Sequence, residues 1–553
     1  MSVPEPPLPS ELALVSHAPS DVQRGTTPPL ASPGVGMAAT RVPSGPTVPD
    51  VDPASQYLAA SRMGMASPFL MPLDFSALFP ALFPAPGSPP GGAGESFTVP
   101  LLRDDLAKEP AVVPPPPEPI DDAPLAPAID PQRLAFEPVP ALAPSSTVGT
   151  FDPHALKREF PILSERVHGK PLVWLDNAAT TQKPRAVIER LTTFYERENS
   201  NIHRAAHALA ARATDAYEAA RETVRRFVNA SSVRDVVFVR GATEGINLVA
   251  QSWGRRHVKA GDEIVVTHLE HHANIVPWQM LCADKGAHLR VAPVDDRGQV
   301  ILEEYQKLLS ERTKLVALPQ VSNALGTVTP AQQMIEMAHR HGARVLLDGA
   351  QSVSHLRVDV QRLGCDFFVF SGHKVFAPTG IGAVVAPAAL LDETPPWQGG
   401  GNMIEDVTFE RTTYQPAPAR FEAGTGNIAD AVGLGAALDW LTRVGLENVT
   451  RYEHELLIYG TERLLTVPGL RIIGTAPDKA SVLSFVIGGH DTHAISTALD
   501  HEGIAVRGGH HCAQPILRRF GLESTVRASL APYNTFEDLD ALVAALWRIV
   551  GVR

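Results

Sequence analysis

Of the 50 prolines in this 553-residue chain, 32 fall in residues 1–150, and a segment interrupted so often can propagate neither a helix nor an interior strand. The same stretch carries 15 acidic residues against 6 basic ones, −9 of the chain's formal −12, and is otherwise rich in Ala, Ser and Gly. A composition of this kind buries too little apolar surface to offset chain entropy, so residues 1–150 are expected to form a disordered extension. One island interrupts it. Residues 68–84 gather Leu73, Phe75, Leu78, Phe79, Leu82 and Phe83 between prolines and repeat Ala-Leu-Phe-Pro. That cluster, of about two helical turns at most, is expected to act as a docking motif, the alternatives being collapse onto the folded body or an inert linker.

From residue 151 the texture changes to short apolar strands separated by amphipathic helices, which points to an α/β fold with a largely parallel sheet. The expected buried strands are Val236–Val239, Glu263–Val266, Leu315–Leu318, Val345–Leu347 and Phe367–Phe370, with a helix from Pro330 to His341. A smaller α+β unit is expected from about Asp430, opening on a helix to Val444 and closing on one from Phe536 to Val550. This body is nearly neutral, at −3, and lacks the basic face that phosphate backbones require, so nucleic acid is excluded as a partner. No export signal and no run of about 18 apolar residues stands out, which predicts a cytoplasmic protein with no membrane association. Cys282, Cys365 and Cys512 form no CxxC pair, so neither a disulfide framework nor a zinc ribbon is indicated. A single reactive thiol remains compatible with that count.

In sheets of this type ligands collect at the carboxyl ends of the strands, and several chemically active residues fall there. Lys374 follows an apolar strand in Ser371-Gly372-His373-Lys374. A lysine partly removed from water has a depressed pKa and condenses with aldehydes, whereas an exposed one is only a solvated amine. Asp348 ends the strand Val345-Leu346-Leu347; it can hold a pyridine nitrogen protonated or merely cap a helix. Gly241-Ala242-Thr243 leaves a strand and opens a helix, where free N–H groups and the helix dipole bind phosphate.

Taken in order, six segments make the residues from about 151 to 553 resemble the SufS-like cysteine desulfurases, pyridoxal-phosphate enzymes of the aspartate-aminotransferase fold. They are Leu175-Asp176-Asn177-Ala178-Ala179, Asn201-Ile202-His203-Arg204, Glu270-His271-His272-Ala273-Asn274, Ser371-Gly372-His373-Lys374, Arg420-Phe421-Glu422-Ala423-Gly424-Thr425 and Arg507-Gly508-Gly509-His510-His511-Cys512. The resemblance implies a large cofactor-binding domain at about 166–412 and a small one at about 413–553 joined by 151–165. It makes Lys374 the lysine that carries pyridoxal 5'-phosphate, Asp348 the partner of the ring nitrogen, His271 the ring stacked on the cofactor, and Gln351 a donor to its phenolic oxygen. Thr243, Ser371 and His373 match phosphate ligands, with Thr425 reaching in from the neighbouring subunit of a homodimer. Asn323, Arg507 and Arg527 match the substrate side, Arg527 as the fork for the carboxylate of L-cysteine. Cys512 matches the nucleophile that becomes a persulfide and passes sulfur to a SufE-like or SufU-like acceptor protein or a small thiol, in sulfur storage or iron-sulfur cluster assembly. Ala205, Ala377 and Gly426 stand where the family usually has Gly, Gly and Pro.

A metal reading of His510-His511-Cys512 is weaker, because alternate residues of an extended segment face opposite ways and no partner motif completes a tetrahedral set. Cys282 and Cys365 read as small core hydrophobes, and His268 and His272 as satisfied side chains at a pocket rim. Within the same chemistry the alternatives are selenocysteine lyase and cysteine-sulfinate desulfinase activity. The extension suggests a second role, since a long tail with a hydrophobic motif ahead of a SufS-like domain resembles the desulfurase cargo of family 2 encapsulin shells.

Overall fold

The computed structural model describes residues 151–203 and 207–551; the expectations for residues 1–150, the 68–84 motif among them, and for Ala205 lie outside these residues. The central sheet has seven strands: β1 (Val236–Val239), β2 (Glu263–Thr267), β3 (His288–Ala292), β4 (Thr313–Pro319), β5 (Arg344–Asp348), β6 (Phe367–Ser371) and β7 (Gly382–Val385). Their spatial order is β1-β7-β6-β5-β4-β2-β3. All neighbours run parallel except around β7, which is antiparallel to both β1 and β6. The six other strands therefore share one direction, and their carboxyl ends form one edge.

Both faces of this sheet are covered, which is why its strands read as unbroken apolar runs. Phe238, Val265, Val316, Leu347, Phe368 and Phe370 enter one core cluster. Their chain neighbours Val237, Ile264, Val266, Leu315, Leu346 and Val369 enter another on the opposite face, as the two-residue alternation of a strand requires. The five strands expected from sequence are all present, each within two residues of the expected ends. The strands β3 and β7 were not expected: β3 is an edge strand with exposed His288, Arg290 and Val291, and β7 is only four residues long.

Helix α1 (Ala208–Phe227) flanks the sheet, α2 (Ala242–Val249) follows β1, and α3 (Val276–Lys285) precedes β3. The expected helix at 330–341 spans Ala331–Arg340. Past the sheet come α4 (Ile428–Val444) and α5 (Leu446–Leu464). A second, antiparallel sheet then joins β8 (Leu470–Ile473), β9 (Val482–Ile487), β10 (Arg507–Gly509) and β11 (Thr525–Ser529) in the order β8-β9-β11-β10. Helix α6 (Gln514–Arg519) lies between its last two strands, and α7 (Phe536–Ile549) ends the described chain. A separate core of Leu456, Leu483, Phe485, Leu530, Leu542 and Leu546 supports this sheet and takes in Val173 and Leu175 from the start of the body. Among the described residues no helix is long and apolar enough to cross a membrane.

One glycine ties the sheet to the site. A Cβ added at Gly382 in β7 would lie 2.3 Å from Phe370 O and 2.8 Å from Gly241 Cα, so its missing side chain lets the turn after β1 sit against the sheet. Gly382→Ala should lower unfolding free energy by about 1–3 kcal/mol through overpacking. Gly399→Ala, where an added Cβ meets nothing within 4 Å, should stay within about 0.5 kcal/mol of the parent. Urea titration of both variants checks this, and equal stabilities would contradict it.

Candidate active site

At the carboxyl edge, β5 ends on Asp348 and β6 on Ser371, with Lys374 closing the single turn Gly372–Lys374 that follows. Hydrogen bonding between β5 and β6 pairs Asp348 with Val369, so carboxylate and amine open into one cavity of about 190 Å3. Its floor includes Asp348, Lys374, Gln351, Ser371, His373 and Thr243. From the other side come His271, Asn323, Arg507, Arg527 and Cys512. Eleven of the twelve residues singled out in the sequence thus meet in one place. Thr425 does not: it is exposed and lines a second cavity with Arg240, Glu244 and Trp397.

Desolvation dominates the electrostatics of this cavity. Burial pushes the Lys374 amine down to about 8 even though the Asp348 carboxylate pulls it up and Arg527 and Arg507 add to the fall. The same burial raises the Asp348 carboxyl, against the Ala350 N–H and the Lys374 charge. His271 drops to about 3 and His373 to about 4, each through burial first and Lys374 second. Both rings are neutral at physiological pH. His271 Nδ1 accepts from Ala273 N at 3.0 Å, which leaves the proton on Nε2.

The two ends of the cavity are built differently. Gly241 leads into α2, and Ala242 N donates to Ser371 Oγ at 2.8 Å; the other first-turn N–H groups are donors of the kind that binds phosphate. Opposite, β10 and β11 pair Arg507 directly with Arg527. Two like charges across a strand pair repel, and Asp176 offsets this by bonding Arg527 Nη2 at 3.1 Å and Arg507 Nε at 3.2 Å. Arg527 Nη1 donates to Asn323 O at 2.9 Å, and Asn323 Nδ2 donates to His511 O at 2.7 Å, fixing the turn that carries Cys512.

That turn corrects one expectation. The segment His510-His511-Cys512 is not extended, because His511 and Cys512 have φ of 52° and 54°. Among the described residues no group of three or more His, Cys, Asp and Glu side chains is arranged to hold a metal ion. Cys282 and Cys365 are buried, their thiols raised by burial to about 11 and about 12, while Cys512 is partly exposed.

Sequence reasoning gave no role to Asp176, which orders both arginines, or to Glu270. Glu270, next to His271 in the chain, is fully buried, bonds Thr267 Oγ1 at 2.7 Å and Asn274 Nδ2 at 2.6 Å, and is raised by burial to about 8. Both stand inside the quoted motifs, which was the signal available. Gln351 spends one amide hydrogen on Ala178 O at 2.6 Å, leaving one for a ligand. Ala377, where the family usually has glycine, is accommodated in the core with its N–H on Gly372 O at 3.1 Å.

Several polar atoms here lack the partners that buried groups normally find. Asn323 Oδ1 and Arg527 Nε are buried with none. Lys374 Nζ makes no hydrogen bond among the described residues, and the Asp348 carboxylate accepts only from Ala350 N, at 2.9 Å. The residues fit pyridoxal phosphate: an amine for its aldehyde, a carboxylate for its ring nitrogen, an imidazole for its face, and a helix start with Ser371 and His373 for its phosphate.

Comparison with known proteins places the chain in a family. The aminotransferase class-V family model matches residues 173–542. A cysteine desulfurase of Synechococcus elongatus is 69% identical over 419 residues, 75% of this chain and 67% of that protein. A probable cysteine desulfurase of Mycolicibacterium paratuberculosis is 53% identical over 542 residues, 96% of this chain and 78% of that protein. The crystal structure of the Escherichia coli cysteine desulfurase CsdA in an S-sulfonic acid form superposes with a TM-score of 0.68 at 40% identity, covering 73% of this chain and 99% of that one.

With its amine lowered to about 8, Lys374 becomes increasingly deprotonated as pH rises through that value. The initial rate at which apoprotein mixed with pyridoxal phosphate gains visible absorbance should therefore climb from about pH 7 and level off above about pH 9, whereas an ordinary lysine would keep gaining beyond about pH 10. Stopped-flow absorbance checks the profile, and Lys374→Ala should show no such band.

Proposed function

The chain belongs to the aminotransferase class-V family and is a pyridoxal-phosphate-dependent cysteine desulfurase, and on that premise we propose the part each residue of the cavity takes. Bound pyridoxal phosphate supplies an electron sink for negative charge at the substrate Cα. Lys374 would hold it through Nζ, Asp348 would keep its ring nitrogen protonated, and His271 would lie against its face. Gln351 would give its remaining amide hydrogen to the phenolic oxygen; Thr243, Ser371 and His373 would bind the phosphate. Arg527, seconded by Arg507, grips the carboxylate of L-cysteine with charge-assisted hydrogen bonds, and Asn323 turns its unpartnered Oδ1 to the substrate amine.

With the substrate so held and Lys374 Nζ no longer bonded to the cofactor, that free amine, lowered to about 8, would take the Cα proton near neutrality. His271, neutral with its proton on Nε2, donates within the same cavity. Cys512 Sγ then attacks the substrate sulfur as thiolate, the form in which a thiol is nucleophilic. The new S–S bond forms as the C–S bond breaks, the electron pair returns to carbon, and L-alanine leaves Cys512 as a persulfide. The observation that carries this reading is that Cys512 shares one cavity with the Lys374–Asp348 pair and with the paired arginines.

We further propose that the persulfide passes to a SufE-like or SufU-like acceptor protein or a small thiol, in a cytoplasmic setting. The working unit is a homodimer in which Thr425 completes the phosphate site of the other subunit. Exposed Thr425 and the buried, unpartnered Trp397 Nε1 beside it support a face made for a second copy.

Cys512→Ser should retain the cofactor and its visible band but carry no extra sulfur after mixing with L-cysteine. Cys282→Ser and Cys365→Ser should gain 32 Da on Cys512, one sulfur atom (about 32 Da). Intact-mass and peptide mass spectrometry decide, and sulfur on Cys365 would contradict the assignment.

The match to the Mycolicibacterium relative extends over 96% of the chain and so into the N-terminal extension. We propose that residues 1–150 address the enzyme to a protein surface, an encapsulin-like shell, through Phe75, Phe79, Phe83 and the leucines between them, with many copies gaining avidity. A reporter fused to residues 1–150 should co-purify with such a shell, and Phe75→Ala/Phe79→Ala/Phe83→Ala should abolish recovery. Equal recovery of both fusions would remove this motif from the account.

A further inference from the structure

The backbone that presents Cys512 is held in a conformation it would not choose. His511 and Cys512, neither of them glycine, occupy the left-handed region with φ of 52° and 54°, where L-residues stay only when their surroundings impose it. Three tethers act from outside the turn. Asn323 Nδ2 donates to His511 O at 2.7 Å, His272 N donates to Cys512 O at 2.7 Å, and the His511 ring bonds Thr525 Oγ1 at 2.8 Å.

Two more tethers are imidazole nitrogens acting as acceptors. His510 Nδ1 takes the N–H of Cys512 at 3.0 Å, and His272 Nε2 takes that of Gln514 at 3.3 Å. The two rings lie 5.7 Å apart, inclined by 32°, so together they bracket the residue that bears the thiol. A backbone N–H can only donate, hence each of these ring nitrogens must be bare. A proton on either one sets donor against donor and removes its tether.

The groups around the rings favour the bare state. His271 stands on the same turn as His272, its ring 6.2 Å away, and His511 adjoins His510 in the chain. The charged groups lining the cavity are the cationic Arg507 on β10, Arg527 on β11 and Lys374 after β6, with the Asp348 carboxylate at the end of β5 as the one anion among them. Burial, and then His510, hold His272 below its ordinary value. Among the described residues no carboxylate is hydrogen-bonded or ion-paired to either ring. His510 itself is exposed and meets solvent protons directly.

We propose that His510 and His272 are positioning residues forming a latch, in which two bare imidazole nitrogens close the Cys512 turn and a proton on either ring releases it. The sign follows from linkage: the closed turn needs both nitrogens bare, so protonation opposes it, and the turn is favoured as pH rises and lost as pH falls. Its functional consequence rests on Cys512 being the sulfur acceptor, since the latch sets what fraction of molecules presents that thiol in the cavity. The latch itself is a property of the turn and is readable without turnover.

Hydrogen–deuterium exchange on the full-length holoenzyme tests it, read on peptides covering residues 508–516 and corrected for the intrinsic pH dependence of exchange. In the parent, protection of the Cys512 and Gln514 amides should fall about tenfold between about pH 8 and about pH 5.5, the loss expected one pH unit below an ordinary histidine pKa. His510→Ala should lack Cys512 protection at both pH values. His510→Asn/His272→Gln should keep protection at both, because an Asn side chain accepts the N–H two residues on and neither amide titrates. Unchanged protection in β11 (Thr525–Ser529) serves as the sign of an intact fold in every variant. Parent protection that is flat with pH, a double variant that loses protection as the parent does, or His510→Ala that stays protected would each overturn the latch. Mass spectrometry for sulfur on Cys512 is independent of all three, so failure of the latch and failure of Cys512 as acceptor are told apart.

Discussion

Asp348 and Lys374 open from neighbouring strands into one cavity, and the loss of solvation around each raises the carboxyl and lowers the amine. Their attraction works the other way, yet Lys374 still falls to about 8, so desolvation is the larger effect. That balance depends on a sheet covered on both faces, which dries the strand ends while leaving their last residues open toward a ligand. A solvated pair would give an ordinary lysine that is protonated at neutral pH and neither condenses with an aldehyde nor takes a proton from carbon.

The second sheet supplies what the first lacks. Its strands β10 and β11 bring Arg507 opposite Arg527, an arrangement unfavourable by itself and held by the Asp176 carboxylate. Asp176 comes from the start of the body, next to Leu175, whose side chain is part of the second core. Asn323, from the loop after β4, then links Arg527 to His511. The paired arginines and the turn that bears Cys512 are therefore one hydrogen-bonded unit, so displacement of either is felt by the other.

Much of this was legible in the sequence, for physical reasons that differ from residue to residue. Strand ends could be located because buried parallel strands are continuous apolar runs, and Asp348, Lys374 and Gly241 are abrupt polar or glycine terminations of such runs. Strand ends already put Asp348, Lys374 and Thr243 on one edge, but the other side of the cavity was legible only through the family resemblance, since no periodicity says that Asn323 and Arg527, some 200 residues apart, touch. β7 escaped notice because Gly382-Ala383-Val384-Val385 is short and starts on a glycine whose purpose is close approach to Gly241. The Cys512 turn was misread as extended because left-handed His and Cys carry no local signature; long-range tethers from His272 and Asn323 impose it. For the same reason His272 looked like a bystander at the rim, although its backbone N–H and its ring both bind the turn.

The central claim is that the dry carboxylate of Asp348 fixes the charge of the cofactor ring. Nitrogen-15 NMR of enzyme reconstituted with pyridoxal phosphate labelled at the ring nitrogen tests it most directly. The parent should show a protonated ring nitrogen throughout about pH 6 to about pH 9, because an adjacent anion favours the charged form of its partner, and Asp348→Asn should move the resonance to the unprotonated position over that whole range. A resonance that is unprotonated in the parent, or identical in the two proteins, would contradict the account.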